Sequence, residues 1–308
     1  MKCHYKDLLA DVDDKTMQEA LRQFEFHIRT KNLTPKTISV YGERLGYFQR
    51  YLRDNRIPFE NVNKLTIQSY ILFQKQRGLA DISVNGQIRV LRVFFKFLRN
   101  EELISNDPME KIQLLKTEKR MKSVLSEKEI EKLLAVPDKR TFAGLRNFCM
   151  LLVFYDTLIR LTELINIKFS DIDVNTGMIR VLGKGRKERH VPIGAKTAKY
   201  LYKFMCMHRK RVDSDHVFCT TSGRIQDQRN VQRILERIGQ RVGIHVSPHL
   251  IRHSAASHRA MQGMPAFLLQ RLLGHSTIQM TEKYVHLVDN EKLKVALRQY
   301  SPLDLLSV

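Results

Sequence analysis

The chain has 308 residues, 43% of them apolar, which is enough for two domains with a core each. No run approaches the roughly 18 consecutive apolar residues a membrane span needs, and the N-terminal MKCHYKDLLADVDD lacks the apolar centre of a signal peptide, so a cytosolic protein is expected. Lys and Arg number 53 against 32 Asp and Glu, a net charge of +21 for which a polyanion is the usual partner, the alternative being a soluble basic surface with no dedicated ligand.

The first hundred residues read as helices. After a segment over roughly 14–30, LTPKT offers Thr34 as an N-cap and Pro35 at the first helical position, and Ile38, Tyr41, Leu45, Phe48 and Leu52 then recur at spacings of three and four. A helix over 65–77 follows. Val84, Ile88, Leu91, Phe95 and Leu98 then form one stripe, giving a four-helix unit that SNDPME at 105–110 closes. Residues 1–110 are therefore taken as a helical domain and 111–124 as a basic linker, in which Lys116, Lys119, Arg120 and Lys122 suit a strap along phosphates.

Ser126 with Glu129 matches a capping box and opens a second domain over 125–308. It begins with an apolar helix near 141–157 and continues through three β-prone runs separated by NTG and GKG turns. Helices return at about 194–211, 227–242, 248–262, 265–273, 277–286 and 289–299. This second part carries most of the charge: the first 113 residues hold 19 basic and 14 acidic side chains, the remainder 34 and 18. The four cysteines are far apart with no C-x-x-C pair, which argues against zinc and against a disulfide framework.

Chemistry-bearing residues cluster in the second domain. RLTEL supplies Arg160, the GKGRKER turn presents Lys184 at a hairpin tip, SPHLIRH places His249 and Arg252 at i and i+3, and LLGH puts His275 nine residues before Tyr284. In this order and spacing the chain resembles the tyrosine recombinases, or phage-type integrases, and in length and layout is most like their Xer-type members. The resemblance covers nearly the whole chain. It implies a mainly helical protein with a small antiparallel sheet, built from a SAM-like core-binding domain and a mixed α/β catalytic domain that close on duplex DNA as a C-shaped clamp. One position departs from the pattern. Family members usually have Gly two residues before the first Arg, whereas this chain has Leu158, where a bulky side chain resists the conformation that Gly permits.

The residues suit the chemistry the resemblance implies. A phenol with a pKa near 10 is only about 0.1% ionised at neutral pH, so a Tyr284 nucleophile needs a base and a cationic surround. Arg160 and Arg252 would present planar forks of N–H donors to the non-bridging phosphate oxygens. His249 is a candidate acceptor of the Tyr284 proton and His275 a donor to phosphate. Lys184, among Arg186, Lys187 and Arg189, is the candidate general acid for the departing 5′ oxygen, because neighbouring cations ease its deprotonation. Glu163 is read as a brace for the arginines and the hairpin. Lys36, Lys119, Arg120, Lys122, Arg186 and Lys187 are the residues assigned to DNA.

Other readings fit less well. His249 and His253 at i and i+4 would suit zinc, but the intervening Leu250, Ile251 and Arg252 lack the Glu base and add a repelling cation. A non-catalytic DNA-binding protein of the same fold is the main alternative, and a nicking-closing topoisomerase a third. The expected activity is strand exchange through a 3′-phosphotyrosyl intermediate, without metal, ATP or other cofactor. The expected partner is double-stranded DNA with two half-sites, bound by a homotetramer on two sites through exchange of the last helix, in a nucleoid-associated cytoplasmic setting with no membrane contact. The target sequence, the biological task and any second recombinase or accessory protein are left open by the sequence.

Overall fold

The computed structural model describes residues 15–117, 123–183, 188–209, 212–275 and 277–285. The chain divides into two compact units, Met1–Arg120 and Met121–Val308.

The first unit packs α1 (Lys15–Thr30), α2 (Pro35–Asp54), α3 (Lys64–Gln76) and α4 (Asp81–Asn100) around an aromatic core. Thr34 caps α2 by accepting from the Thr37 N–H at 3.2 Å, with Pro35 following where no donor is needed. Asn63 caps α3, accepting from Leu65 and Thr66. The apolar stripes point inward as their period dictates: Leu45, Phe48 and Leu52 of α2 meet Val84, Ile88, Leu91, Phe95 and Leu98 of α4, with Phe24 and Tyr70 between. The buried Tyr70 hydroxyl donates to Gln87 Oε1 at 2.6 Å, so the core holds no orphaned phenol there.

Residues 111–117 are tied to this unit. Ile112 is buried in its core, and the Asn85 amide pairs with the Leu115 backbone in both directions, donating to its oxygen at 2.9 Å and accepting from its N–H at 2.8 Å. Lys119, Arg120 and Lys122 lie outside the described residues.

In the second unit Ser126 and Glu129 form the capping box of α5 (Glu127–Ala135): the Ser126 hydroxyl accepts from the Glu129 N–H, and the Glu129 carboxylate accepts from the Ser126 N–H at 2.7 Å. Ser126→Ala is expected to cost about 1 kcal/mol, read as a lower urea midpoint at unchanged m-value. Helix α6 (Phe142–Thr157) is apolar on every side because it runs through the core, where Phe148, Met150, Val153 and Phe154 are buried. The short α7 (Leu161–Ile165) follows, then β1 (Ile172–Asp173), β2 (Met178–Leu182) and β3 (Glu188–Pro192) in an antiparallel sheet ordered β1-β2-β3. The first of the three β-prone runs supplies only a two-residue strand; a 3-10 turn at Phe169–Asp171 takes up much of it.

Helices α8 (Ala195–Arg209), α9 (Gln228–Gln240), α10 (Pro248–Met261), α11 (Ala266–Leu273) and α12 (Gln279–Val285) complete the described unit. Helices α8 and α10 both pack on α6, which positions α10 beside the α6 C-terminus. A small cluster of Leu158, Ala255, Ala256, Ala260, Leu269, Leu273 and Tyr284 joins α10, α11 and α12. Among the described residues no helix is long and apolar enough to cross a membrane.

Candidate active site

The site is assembled where helices end. Helix α6 terminates at Leu158 in the left-handed conformation (φ 57°, ψ 22°), the geometry usually left to glycine. For an L-residue this costs about 1–2 kcal/mol, whereas burying a leucine side chain contributes about 1.5–3 kcal/mol. Leu158 is fully buried, so packing carries the strained turn. The sequence departure therefore leaves the turn as tight as a glycine would draw it.

Two residues on, Arg160 caps the five-residue α7 and closes a ring with Glu163. Its backbone N–H donates to Glu163 Oε2 at 2.7 Å and its guanidinium to Oε1 at 2.9 Å. A second arginine meets the same carboxylate: Arg189 donates through Nη1 to Oε1 and through Nη2 to Oε2, both at 3.0 Å. Strand pleating explains its direction. Val181 pairs with Arg189 and Ile179 with Val191, and since Ile179, Val181 and Val191 are buried, Arg189 faces the same interior side. Burial alone would raise the Glu163 carboxyl, but hydrogen bonds from Arg189 and Arg160 overcome that and hold it below the usual carboxylate range. Glu163 thus braces both the first arginine and the hairpin.

Arg252, in the second turn of α10, is buried and donates to two helix-end carbonyls, that of Leu158 and that of Leu273 at 2.7 Å. Burial, with Arg160 close by, lowers it to about 10, which still leaves it charged at neutral pH. Arg160 in turn donates to the Gly274 carbonyl at 3.1 Å. Gly274 ends α11 with φ 58°, and a Cβ there would lie 2.8 Å from the Arg189 guanidinium carbon, so the glycine of LLGH serves both the turn and this close approach. Two guanidinium groups, those of Arg160 and Arg189, therefore share one carboxylate, and Arg252 lies close enough to feel the charge of all three. The excess positive charge suits an anion with several acceptor oxygens.

Tyr284 sits on α12 with only 3% of its surface exposed. Its hydroxyl lies 3.3 Å from His253 Nδ1, and burial pushes the phenol above its ordinary pKa, with Arg252 pulling weakly the other way. Its charged sequence neighbours are misleading: on the short helix Tyr284 and Thr281 turn inward while Met280 and Glu282 remain exposed. The His275 ring is 2.9 Å from the Thr281 hydroxyl, which fixes its orientation beside the same helix.

Of the residues expected from sequence, Arg160, Arg252, His275 and Tyr284 converge here, and His249 is exposed in the first turn of α10. The ring at the Tyr284 hydroxyl is His253, one turn beyond His249 on the same helix face; only the docking of α12 selects between them. Arg189 was readable from the alternation in ERHVP, where it stands two residues before the buried Val191. Lys36 is exposed in the first turn of α2, in the other unit. Lys184, Arg186 and Lys187 lie outside the described residues, as do His286 and the expected helix at 289–299.

Comparison with known proteins agrees with this geometry. Residues 123–291 match the phage integrase family, and residues 21–102 match the phage integrase N-terminal SAM-like domain. The chain belongs to the phage integrase family, the tyrosine site-specific recombinases. It is 32% identical over 285 residues to tyrosine recombinase XerD of Halalkalibacterium halodurans, covering 88% of this chain and 94% of that protein. With XerD of Listeria monocytogenes serovar 1/2a it shares 33% identity over 297 residues, 93% of this chain and 99% of the relative. Its fold matches XerH site-specific recombinase bound to palindromic difH substrate (TM-score 0.74, 20% identity, 96% of this chain and 97% of that one). The Tn1549 transposon integrase in complex with a circular intermediate DNA is similar in fold as well (TM-score 0.75, 19% identity, 93% and 99% covered).

Proposed function

We propose that this recombinase cleaves a DNA strand by attack of the Tyr284 oxygen on phosphorus, exchanging strands between two duplex sites. A P–O bond to tyrosine forms and the P–O5′ bond breaks, leaving a 3′-phosphotyrosyl link and a 5′ hydroxyl. Attack by a 5′ hydroxyl from another strand reverses the step, and because the bond energy is kept in the link, neither ATP nor metal is needed. The observation that carries this reading is the buried Tyr284, its hydroxyl beside His253 and its charge environment set by Arg252, next to the Arg160 and Arg189 guanidiniums that share the Glu163 carboxylate.

Within this reading Arg160 and Arg252 neutralise the charge that spreads over the non-bridging oxygens in the transition state. His253 is placed to take the phenolic proton, in preference to His249, whose exposed position suits contact with the phosphate. His275, oriented by Thr281, donates to a phosphate oxygen. Lys184 protonates the leaving 5′ oxygen. Lys36, Lys119, Arg120, Lys122, Arg186 and Lys187 contact the DNA backbone, giving a steep salt dependence. The helical unit and the catalytic unit both contact the duplex, joined by the basic segment 111–124, whose residues 111–117 pack on the helical unit. Four protomers assemble on two sites by exchanging the last helix, in the cytoplasm on the nucleoid.

The test uses DNA fragments from the protein's genomic neighbourhood, in EDTA, resolved on SDS gels. An adduct is expected, with the modified peptide mapping to Tyr284 by mass spectrometry. Tight DNA binding with no adduct, even on nicked suicide substrates, would favour the non-catalytic DNA-binding protein instead.

A further inference from the structure

Four residues other than glycine take positive φ among the described residues: Asn32, Arg56, Glu102 and Leu158. The first three are exposed just past helix ends, each N–H donating to a backbone carbonyl of the last turn; Leu158 alone is buried. A bulky residue in this conformation is a true outlier, and such strain persists only where the surroundings fix it. Here they do so from two sides. The Leu158 carbonyl accepts from the Arg252 guanidinium, and its side chain lies in the small cluster that also holds the Tyr284 ring.

We propose that Leu158 is a positioning residue that sets Arg252 through its backbone and seats Tyr284 through its side chain, so that the two groups are placed by one residue. A glycine at this point would supply the turn and the carbonyl but no side chain in the cluster that holds the Tyr284 ring. The proposal rests on the reading of Tyr284 as the nucleophile.

Substitution separates the two tasks. Leu158→Gly keeps the left-handed turn at no steric cost and removes the side chain; Leu158→Met keeps the bulk; Leu158→Ala keeps the conformational cost and loses the bulk. Single-turnover cleavage of a nicked suicide substrate is measured across pH for each variant, on protein shown to be folded by circular dichroism, with DNA affinity measured in parallel. Leu158→Gly and Leu158→Ala are expected to bind DNA within about twofold of wild type and to cleave about tenfold to a hundredfold more slowly, the scale of a misplaced reacting group. Their rise of rate with pH should begin at lower pH, because a less buried phenol ionises more readily. Leu158→Met is expected to restore both the rate and the profile.

Wild-type rate and profile in Leu158→Gly would overturn the proposal, leaving Leu158 as a permissive turn residue. A slower rate with an unmoved profile, unrescued by Met, would overturn it as well, as that pattern describes general loosening. Absence of an adduct with the wild-type protein would instead remove the Tyr284 reading itself.

Discussion

Tyr284→Phe is expected to bind its DNA with wild-type affinity and to form no covalent adduct at any pH. The substitution keeps the ring in the cluster with Leu158 and Leu273 and deletes one oxygen, which approaches His253 Nδ1 at 3.3 Å. A hydrogen bond of this length contributes about 1 kcal/mol or less, so its loss should move the melting temperature by only a few degrees. The chemistry has no such tolerance, because no other atom of the side chain can accept a phosphoryl group. An SDS-stable complex formed by the phenylalanine variant would show that another nucleophile is in use.

Glu163→Gln should produce the largest loss among the supporting residues. The carboxylate is 4% exposed, accepts from both Arg160 and Arg189, and is the counter-charge to a group of three guanidiniums. Removing its charge leaves cations in partly buried positions without compensation, a change that costs about 3 kcal/mol in comparable buried pairs. Because Arg160 is oriented by this carboxylate, cleavage should fall about a hundredfold beyond any loss of folded protein. The pH dependence has a defined sign. Glu163 is held below the ordinary carboxylate range in the folded protein, so its stabilising contribution is complete above that range and is lost as pH falls through the depressed value. The difference in denaturant midpoint between wild type and Glu163→Gln should accordingly close on the acid side. A gap that stays constant down to low pH would mean that the ion pair contributes nothing and the variant acts through shape alone.

The longer helices were legible through their apolar period, and several also through a start signal. Thr34-Pro35, Ser126 with Glu129 and Ser247-Pro248 all act as N-terminal caps in the structure, and the stripes of α2 and α4 face inward as spaced. Arg160, Arg252, His275 and Tyr284 could be named because their spacing follows a known motif. What remained hidden depends on contacts between distant segments. His249 and His253 share a helix face, so local pattern ranks them equally until α12 is docked. The three β-prone runs each supply a strand, but the brevity of the first, two residues long, was not readable because β-branched residues there serve burial as much as pairing. The left-handed turn at Leu158 was unreadable for a different reason: the signal for such a turn is glycine, and here tertiary packing takes its place.

The pairing of Val181 with Arg189 also makes the sheet an indexing device. Pleated strands present alternate residues to each side, so a slip of one place would withdraw Arg189 and turn Glu188 or His190 toward Glu163. With Glu188, carboxylate would then face carboxylate in a buried setting, and the misaligned hairpin would be rejected by charge as well as by packing. The site therefore proofreads the register of the strand that builds it.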